Sequence, residues 1–329
     1  MTKTYDVVGI GNAIVDVLTQ ADDSFLELMG IQKGIMQLVE RNRGELLYGA
    51  MESRVQAPGG SVANTLAGLG GLGLSTGFIG RVHDDALGRF YASEMEKGGT
   101  DFVNAPVPGG ELPTSRSMIF VSPDGERSMN TYLGISAELG PEDVADDVAG
   151  AARILFLEGY LFDKDKGKEA FLRAARLCHE GGGQAGIALS DPFCVDRHRT
   201  DFRRLVRELD FVIGNQQEWM SLYETDDLGR ALETAAGECG VVVCTRSGHD
   251  VVLVRGEEEA VVPVTRVTPV DATGAGDQFA AGFLYGYAKG ADLTTCGRMG
   301  CIAAAEVIGH IGPRPEADVL ALFRKAGLV

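Results

Sequence analysis

The chain has 329 residues, 45% hydrophobic and 23% charged, with 30 basic residues against 47 acidic ones and a net charge of −17. This length is ample for one large α/β domain or two smaller ones with a sizeable core. The acidic balance excludes nucleic-acid binding through a broad basic face, so positive potential for an anionic ligand has to be local.

The six cysteines stand at 178, 194, 239, 244, 296 and 301, with no Cys-x-x-Cys pair and no His at zinc spacing. That argues against a disulfide scaffold or structural zinc and for a reducing cytoplasm. The start, Met1-Thr2-Lys3-Thr4-Tyr5-Asp6, enters a strand at once, so no leader is expected. No apolar run reaches the roughly 18 residues of a membrane span.

In chain order, residues 5–10 read as a short apolar strand, 15–19 as a second and 34–39 as a third, followed by a helix over 40–50. Gly59-Gly60 opens an Ala- and Leu-rich helix over 61–69. A strand over 76–82 and an amphipathic helix over 84–97 follow. Residues 113–132 then alternate around Pro123-Asp124-Gly125, the turn chemistry of a hairpin. From Pro141 onward helices and strands take turns: helix 144–152, strand 154–157, helix 166–180, strand 184–189, helix 198–208, strand 211–213, helices 216–223 and 228–239. Residues 241–245 are an almost unbroken β-branched run, as expected of a strand buried on both faces. A hairpin over 251–255 and 260–264 precedes three helices, at 275–288, 293–309 and 315–326.

This alternation predicts an α/β fold with a mainly parallel sheet covered on both sides. Segments near 15–39, 52–56 and 114–132 do not fit that sheet. They predict a small β-sheet lid inserted into one domain spanning 1–329. The lid's edge strands need cover, which a homodimer through the lid would supply.

The stretch richest in chemistry is Asp271-Ala272-Thr273-Gly274-Ala275-Gly276-Asp277, which feeds an apolar helix. Gly274, Ala275 and Gly276 carry almost no side chain, so their backbone N–H groups can approach an anion at a helix N-terminus. Asp277 sits in the first turn, where the helix dipole favours a carboxylate and should keep it ionised. A carboxylate beside a phosphate cradle can take the proton of a hydroxyl that attacks phosphorus. An Asp at this place can also be only a cap.

The full string resembles the signature of the PfkB, or ribokinase-like, family of carbohydrate and nucleoside kinases, whose core reads Asp-Thr-x-Gly-Ala-Gly-Asp. Here the Thr stands one place later, at Thr273, a variation the fold is expected to absorb. The resemblance implies a three-layer α/β/α fold with a lid, Asp277 as catalytic base, and ATP and Mg²⁺ as cosubstrate and cofactor. It also implies a monovalent cation, often K⁺, near Asp271 and Thr273, with carbonyls from 307–312.

Other motifs follow in the family's order. Asp16, in Asn12-Ala13-Ile14-Val15-Asp16, resembles the Asp that accepts hydrogen bonds from two sugar hydroxyls, with Asn12 helping to position it. Gly59-Gly60-Ser61-Val62-Ala63-Asn64 matches Gly-Gly-x-x-x-Asn, in which Asn64 meets the substrate; a Gly-initiated helix with Ser61 as cap reads equally well. Glu158 closes a strand where ligands of open α/β sheets sit, and resembles a sugar-contacting Glu. Asn215-Gln216-Gln217-Glu218 fits Asn-x-x-Glu, expected to place Mg²⁺ and phosphates, and is equally a capping box. Thr245 and Gly248 resemble a nucleotide-contacting Thr-x-x-Gly, with Arg246 a candidate charge near the phosphates. Asp191 before Pro192 is explained by a turn without function.

Two phosphate-binding alternatives fail. Gly9-Ile10-Gly11 lacks the third glycine of a dinucleotide fold, having Ile14 there, and Gly167-Lys168 is followed by Glu169 rather than Ser or Thr. The segments 11–16, 124–131 and 190–193 resemble bacterial adenosine kinases, and Met36, Phe120 and Tyr132 are candidates for an adenine wall. Glu158 points instead toward sugar kinases for ribose, fructose or 2-keto-3-deoxygluconate. A non-catalytic sugar- or nucleoside-binding regulator on the same fold would lose the base or the amide cradle, and this chain keeps both.

Overall fold

The computed structural model describes residues 5–264 and 266–329. Its strands are β1 (Tyr5–Ile10), β2 (Ile14–Gln20), β3 (Met36–Leu38), β4 (Val55–Gly59), β5 (Thr76–Ile79), β6 (Thr100–Phe102) and β7 (Ser115–Val121). They continue with β8 (Arg127–Tyr132), β9 (Ala152–Glu158), β10 (Gln184–Ala188), β11 (Phe211–Asn215), β12 (Val241–Arg246), β13 (His249–Arg255) and β14 (Glu258–Val262). Nine form one sheet in the order β14-β13-β12-β11-β10-β9-β1-β5-β6; five form a second, β3-β8-β7-β2-β4. In the larger sheet only β13 and β14 run antiparallel to their neighbours.

Alternation of side chains across the large sheet builds its two outer layers. In β12, Val241 and Val243 enter one apolar cluster while Val242 and Cys244 enter the other. One layer holds the helices Ser61–Gly71, Ala275–Ala288 and Leu293–Val307; the other holds Asp165–Glu180 and Arg199–Val206. The β-branched run of β12 is therefore buried on both faces, as its composition requires.

The order reverses around β1, with β5 on one side and β9 on the other. The crevice beyond the strand ends at such a switch point is where open α/β sheets bind ligands. Asn12, just past β1, donates from Nδ2 to Glu158 at the end of β9 (2.8 Å) and bridges it.

In the second sheet, β2 pairs parallel with β7, while β4 and β8 pair antiparallel with β2 and β7. One face carries Val15, Val17, Met118 and Phe120, covered by the helices Asp23–Leu28 and Arg41–Ala50, and Phe25 meets Phe120 at 5.5 Å between ring centroids. The opposite face carries two cross-strand rows. One runs Ala57, Asp16, Ser117, Thr131, Leu38, and the next Val55, Leu18, Ile119, Met129, Met36. Two residues beyond Met129, Arg127 reaches Asp271 of the large domain, so this face looks onto the strand ends.

The sequence reading missed the helices Asp23–Leu28 and Pro192–Arg197 and the strand β6. It also ran a helix through 144–152, where the helix is only Asp146–Ala149: Gly150 caps it, and Ala152 is drawn into β9 by pairing with Tyr5. None of the six cysteines forms a disulfide, and five are buried. No helix among the described residues is long and apolar enough to cross a membrane.

Candidate active site

Two helix N-termini converge on the cleft beyond β10, β11 and β12. Ser61 and Thr65 of one helix and Gly276, Asp277 and Ala280 of the other line it, with Asn215, Glu218 and Thr245 on the far wall. Gly274 adopts φ 79°, and a Cβ there would lie 2.5 Å from Pro313 Cα, so only glycine makes this turn and still packs against the loop opposite. The first amides of the helix Ala275–Ala288 are thereby presented to the cleft, the arrangement that binds anions.

Asp277 receives two hydrogen bonds, from Ser61 Oγ to Oδ1 (2.6 Å) and from Asn64 Nδ2 to Oδ2 (3.0 Å). Burial outweighs both and raises its pKa to about 6. The helix dipole is thus not the only influence on this charge: burial opposes it and lifts the carboxyl above the usual carboxylate range. Ser61 is not a cap. Gly60 holds the cap position without a side-chain bond, and the Ser61 hydroxyl is spent on Asp277.

Asp16 leaves β2 on the face looking into the site, directly against Gly59, where a Cβ would fall 2.6 Å from its carboxylate. Gly60, at φ 99°, passes so near the carbonyl of Asn12 that a Cβ would lie 2.3 Å from it. The two glycines therefore let the lid strand β4 join the core helix beside Asp16. Burial raises the Asp16 pKa to about 6, opposed by Arg127 and then Arg314 and reinforced by Asp277.

Glu158 and Asn12 lie deeper than the sequence reading placed them. Glu158 is 1% exposed, and its oxygens accept from the backbone N–H of Asn12 and Val62 (3.2 Å each) and from Asn12 Nδ2. Asn12 Oδ1 accepts from Ser136 Oγ. Both side chains have their hydrogen-bonding capacity turned inward, so they brace the walls of the site. Burial raises the Glu158 pKa to about 7.

Asn215 and Glu218 form a complete capping box. Glu218 is 5% exposed, and burial raises its pKa to about 7. No group of three or more His, Cys, Asp or Glu among the described residues is placed to hold a metal. One carboxylate at a phosphate cleft still fits Mg²⁺, which keeps several waters and takes substrate phosphates as ligands. Thr245 lines the cleft, whereas Gly248 (φ 74°) makes the tight β12–β13 turn, with Arg246 on its flank. Asp191 caps the helix Pro192–Arg197, accepting from the N–H groups of Phe193 and Cys194.

The K⁺ expectation meets a different arrangement. Asp271 Oδ1 accepts from the N–H and Oγ1 of Thr273, and Oδ2 from Gly312 N–H and Arg127 Nη1 (2.8 Å). Arg127 also donates to Thr273 Oγ1 (3.0 Å). A guanidinium from β8 thus shares the carboxylate and hydroxyl that the resemblance assigns to a K⁺ site. The displaced Thr of the motif is accommodated here, tied twice to Asp271.

Of the three residues considered for an adenine wall, Met36 lies on the site-facing face, 47% exposed. Phe120 is fully buried on the opposite face against Phe25, and Tyr132 packs over Gly44, so neither can meet a ligand. A period-two strand sends every second residue away, a distinction that needs the register. Arg127, Arg314 and Gln278 were missed altogether. Gln278 is fully buried and donates to the carbonyls of Asn64 (2.9 Å) and Pro313 (3.0 Å), joining the two sides of the cleft. The one sequence signal for Arg314 was its setting between Pro313 and Pro315, an arginine held on a stiff backbone in an acidic chain.

The match to known proteins agrees with this geometry. The model of the PfkB family of carbohydrate kinases matches residues 32–319, and the chain belongs to that family of phosphotransferases. A probable sugar kinase from Rhizobium etli superposes with a TM-score of 0.90 at 45% identity, covering 100% of both chains. Adenosine kinase from Sinorhizobium meliloti gives 0.89 at 48% identity, over 98% of this chain and 99% of that one. A 5-dehydro-2-deoxygluconokinase from Bacillus subtilis is 26% identical over 93% of this chain and 90% of its own length.

Proposed function

We propose that this kinase transfers the γ-phosphoryl group of ATP to the primary hydroxyl of a ribonucleoside, adenosine first among them. Asp277 takes the hydroxyl proton as the oxygen attacks phosphorus, and the amides of Ala275, Gly276 and Asp277 face the charge on the transferring group. Glu218, with Asn215, would hold Mg²⁺ through water, and Thr245 would contact the nucleotide. Bound Mg²⁺ neutralises phosphate charge. Asp16, with two carboxylate oxygens, suits a vicinal diol, and Asn64 orients the acceptor beside the base. Gly59 and Gly60 bring backbone close to that acceptor.

The observation that carries the nucleoside reading is the pair of rows on the site-facing side of the lid. The Asp16, Ser117, Thr131 row offers polar contacts for a sugar, and the adjoining Leu18, Ile119, Met129, Met36 row is wholly apolar. A ribose with a flat base spans such a boundary, whereas a small polyol leaves the apolar row unused. The 48% identity to a kinase named for adenosine supports the same reading. A sugar acid is the second reading, because Arg127 and Arg314 both act on Asp16 and could receive a carboxylate. The test is ATP consumption with Mg²⁺ against adenosine, inosine, ribose, fructose, 2-keto-3-deoxygluconate and 5-dehydro-2-deoxygluconate. Adenosine should lead by kcat/KM; preference for a sugar acid would reverse the reading.

A further inference from the structure

Arg314 projects from the loop after the helix Leu293–Val307 into the junction between lid and core. Its Nη2 donates to the carbonyl of Pro58 in lid strand β4 (3.0 Å). Its Nε reaches Asn64 Oδ1 at 3.5 Å, near the outer limit of a hydrogen bond. The same Nη2 lies 3.7 Å from Met95 Sδ in the helix Ala86–Lys97. The loop carrying it is fixed from two sides: Gln278 donates to Pro313 O, and Gly274 packs on Pro313.

These contacts bear on both acceptor-binding side chains. A guanidinium can only donate, so it selects the carbonyl end of the Asn64 amide. The NH₂ end is then left facing Asp277, to which it donates. Pro58 precedes the Gly59-Gly60 turn that seats Asp16, so fixing its carbonyl fixes the turn. The guanidinium charge also acts on Asp16, alongside Arg127 from β8 and against Asp277. Tyr91, whose hydroxyl donates to Gly59 O (2.9 Å), Glu158, and Glu94, whose carboxylate acts on the Arg314 guanidinium from the helix Ala86–Lys97, are the other ionisable groups at this junction.

We infer that Arg314 is a positioning residue for the acceptor: it fixes the Asn64 amide and the Pro58–Gly60 turn, so that it sets acceptor affinity and not the chemical step. This rests on Asp16 and Asn64 being the acceptor contacts, and it holds for a nucleoside or a sugar alike. Removing the guanidinium leaves Asp16 with Arg127 as its remaining cationic neighbour. Its pKa then rises further, so the carboxylate is neutral over more of the range below pH 7 and recovers its charge as pH increases.

The experiment compares wild type, Arg314→Met and Arg314→Lys. Arg314→Met should raise acceptor KM about tenfold or more, the worth of a charge-assisted bond, with kcat and the KM for ATP each within about threefold. The acidic limb of acceptor kcat/KM should move to higher pH and return toward its wild-type position in Arg314→Lys, which keeps the charge. Equal losses in kcat and in the KM for ATP, with the limb unmoved, would overturn the inference. A second readout needs no turnover: the Asp16 carboxyl carbon, followed by NMR in ¹³C-Asp-labelled protein and assigned with Asp16→Asn, should titrate higher in Arg314→Met. An unchanged titration in folded protein overturns it too. If the preferred acceptor is a sugar, the nucleoside reading fails while the Arg314 comparison runs unchanged on that sugar.

Discussion

The two halves of the cleft are built in different ways. The centre of the phosphoryl half is a contiguous segment: Asp271–Asp277 supplies the turn, the amides and the carboxylate within seven residues that run into one helix, with Asn215, Glu218 and Thr245 facing it from the ends of β11 and β12 and the helix after β11. The acceptor half is assembled from β2, β4, β7 and β8, the start of the helix Ser61–Gly71 and a loop near the C-terminus. Chemistry common to every phosphoryl transfer can be carried by a local motif. Recognition of one acceptor depends on which side chains register brings together, and can vary without touching the motif.

This division gives experiments that break it or sharpen it. The largest effect should come from Asp277→Asn, with kcat lowered on the order of 10²–10⁴, the usual range for loss of a general base, and acceptor KM little changed. A comparable rise in KM would mean that Asp277 belongs to both halves. Asp16→Asn should do the converse. The loss of charged hydrogen bonds to a diol, worth about 1.5–3 kcal/mol, should raise acceptor KM roughly 10- to 100-fold and leave the KM for ATP alone. Met129→Ser, in the apolar row, should cost about tenfold in kcat/KM for a nucleoside and nothing for free ribose; equal loss on both would remove the base from that wall.

The pH dependence sharpens the same comparison. Asp277 and Asp16 are both raised to about 6, so kcat/KM should fall as pH drops through that value, and with both protons counting the limb should be steeper than a single ionisation. The smallest effect concerns stability. Burial raises Glu158 from 4.5 to about 7. The folded state therefore holds this proton more tightly than the unfolded chain. The stability so conferred is present below pH 4.5 and is lost as pH rises through about 7. Glu158→Gln, which keeps an oxygen for the two Asn12 donors and sets its NH₂ against Val62 N–H, should lower Tm more near pH 4 than at pH 8, as read by calorimetry.

The turn and helix start at Asp271–Asp277 were legible in the sequence because these residues are neighbours and their spacing carries the geometry. The layered α/β architecture was legible for a similar reason, since each strand declares its burial locally, as Val241–Cys244 do. The acceptor half was legible in part. Asp16 and Asn64 stood out by motif, but the wall of the second sheet did not, because Met118 and Met129 are equally apolar and only the register buries one under the helices and turns the other to the site-facing side. Arg127 and Arg314 were hidden for the same reason. Arg127 is 144 residues from Asp271, and Arg314 is 250 from Asn64, separations that no local pattern can announce. The raised pKa of Asp277 was not legible, because a helix dipole is visible in sequence and desolvation is not.

The most direct test of the account is to measure kcat and KM for adenosine and for 5-dehydro-2-deoxygluconate with Mg²⁺–ATP, in wild type and in Asp277→Asn. Adenosine should be preferred, and the substitution should lower kcat on the order of 10²–10⁴ with little change in KM. Preference for the sugar acid would contradict the acceptor assignment, and an unchanged kcat in Asp277→Asn would contradict the base.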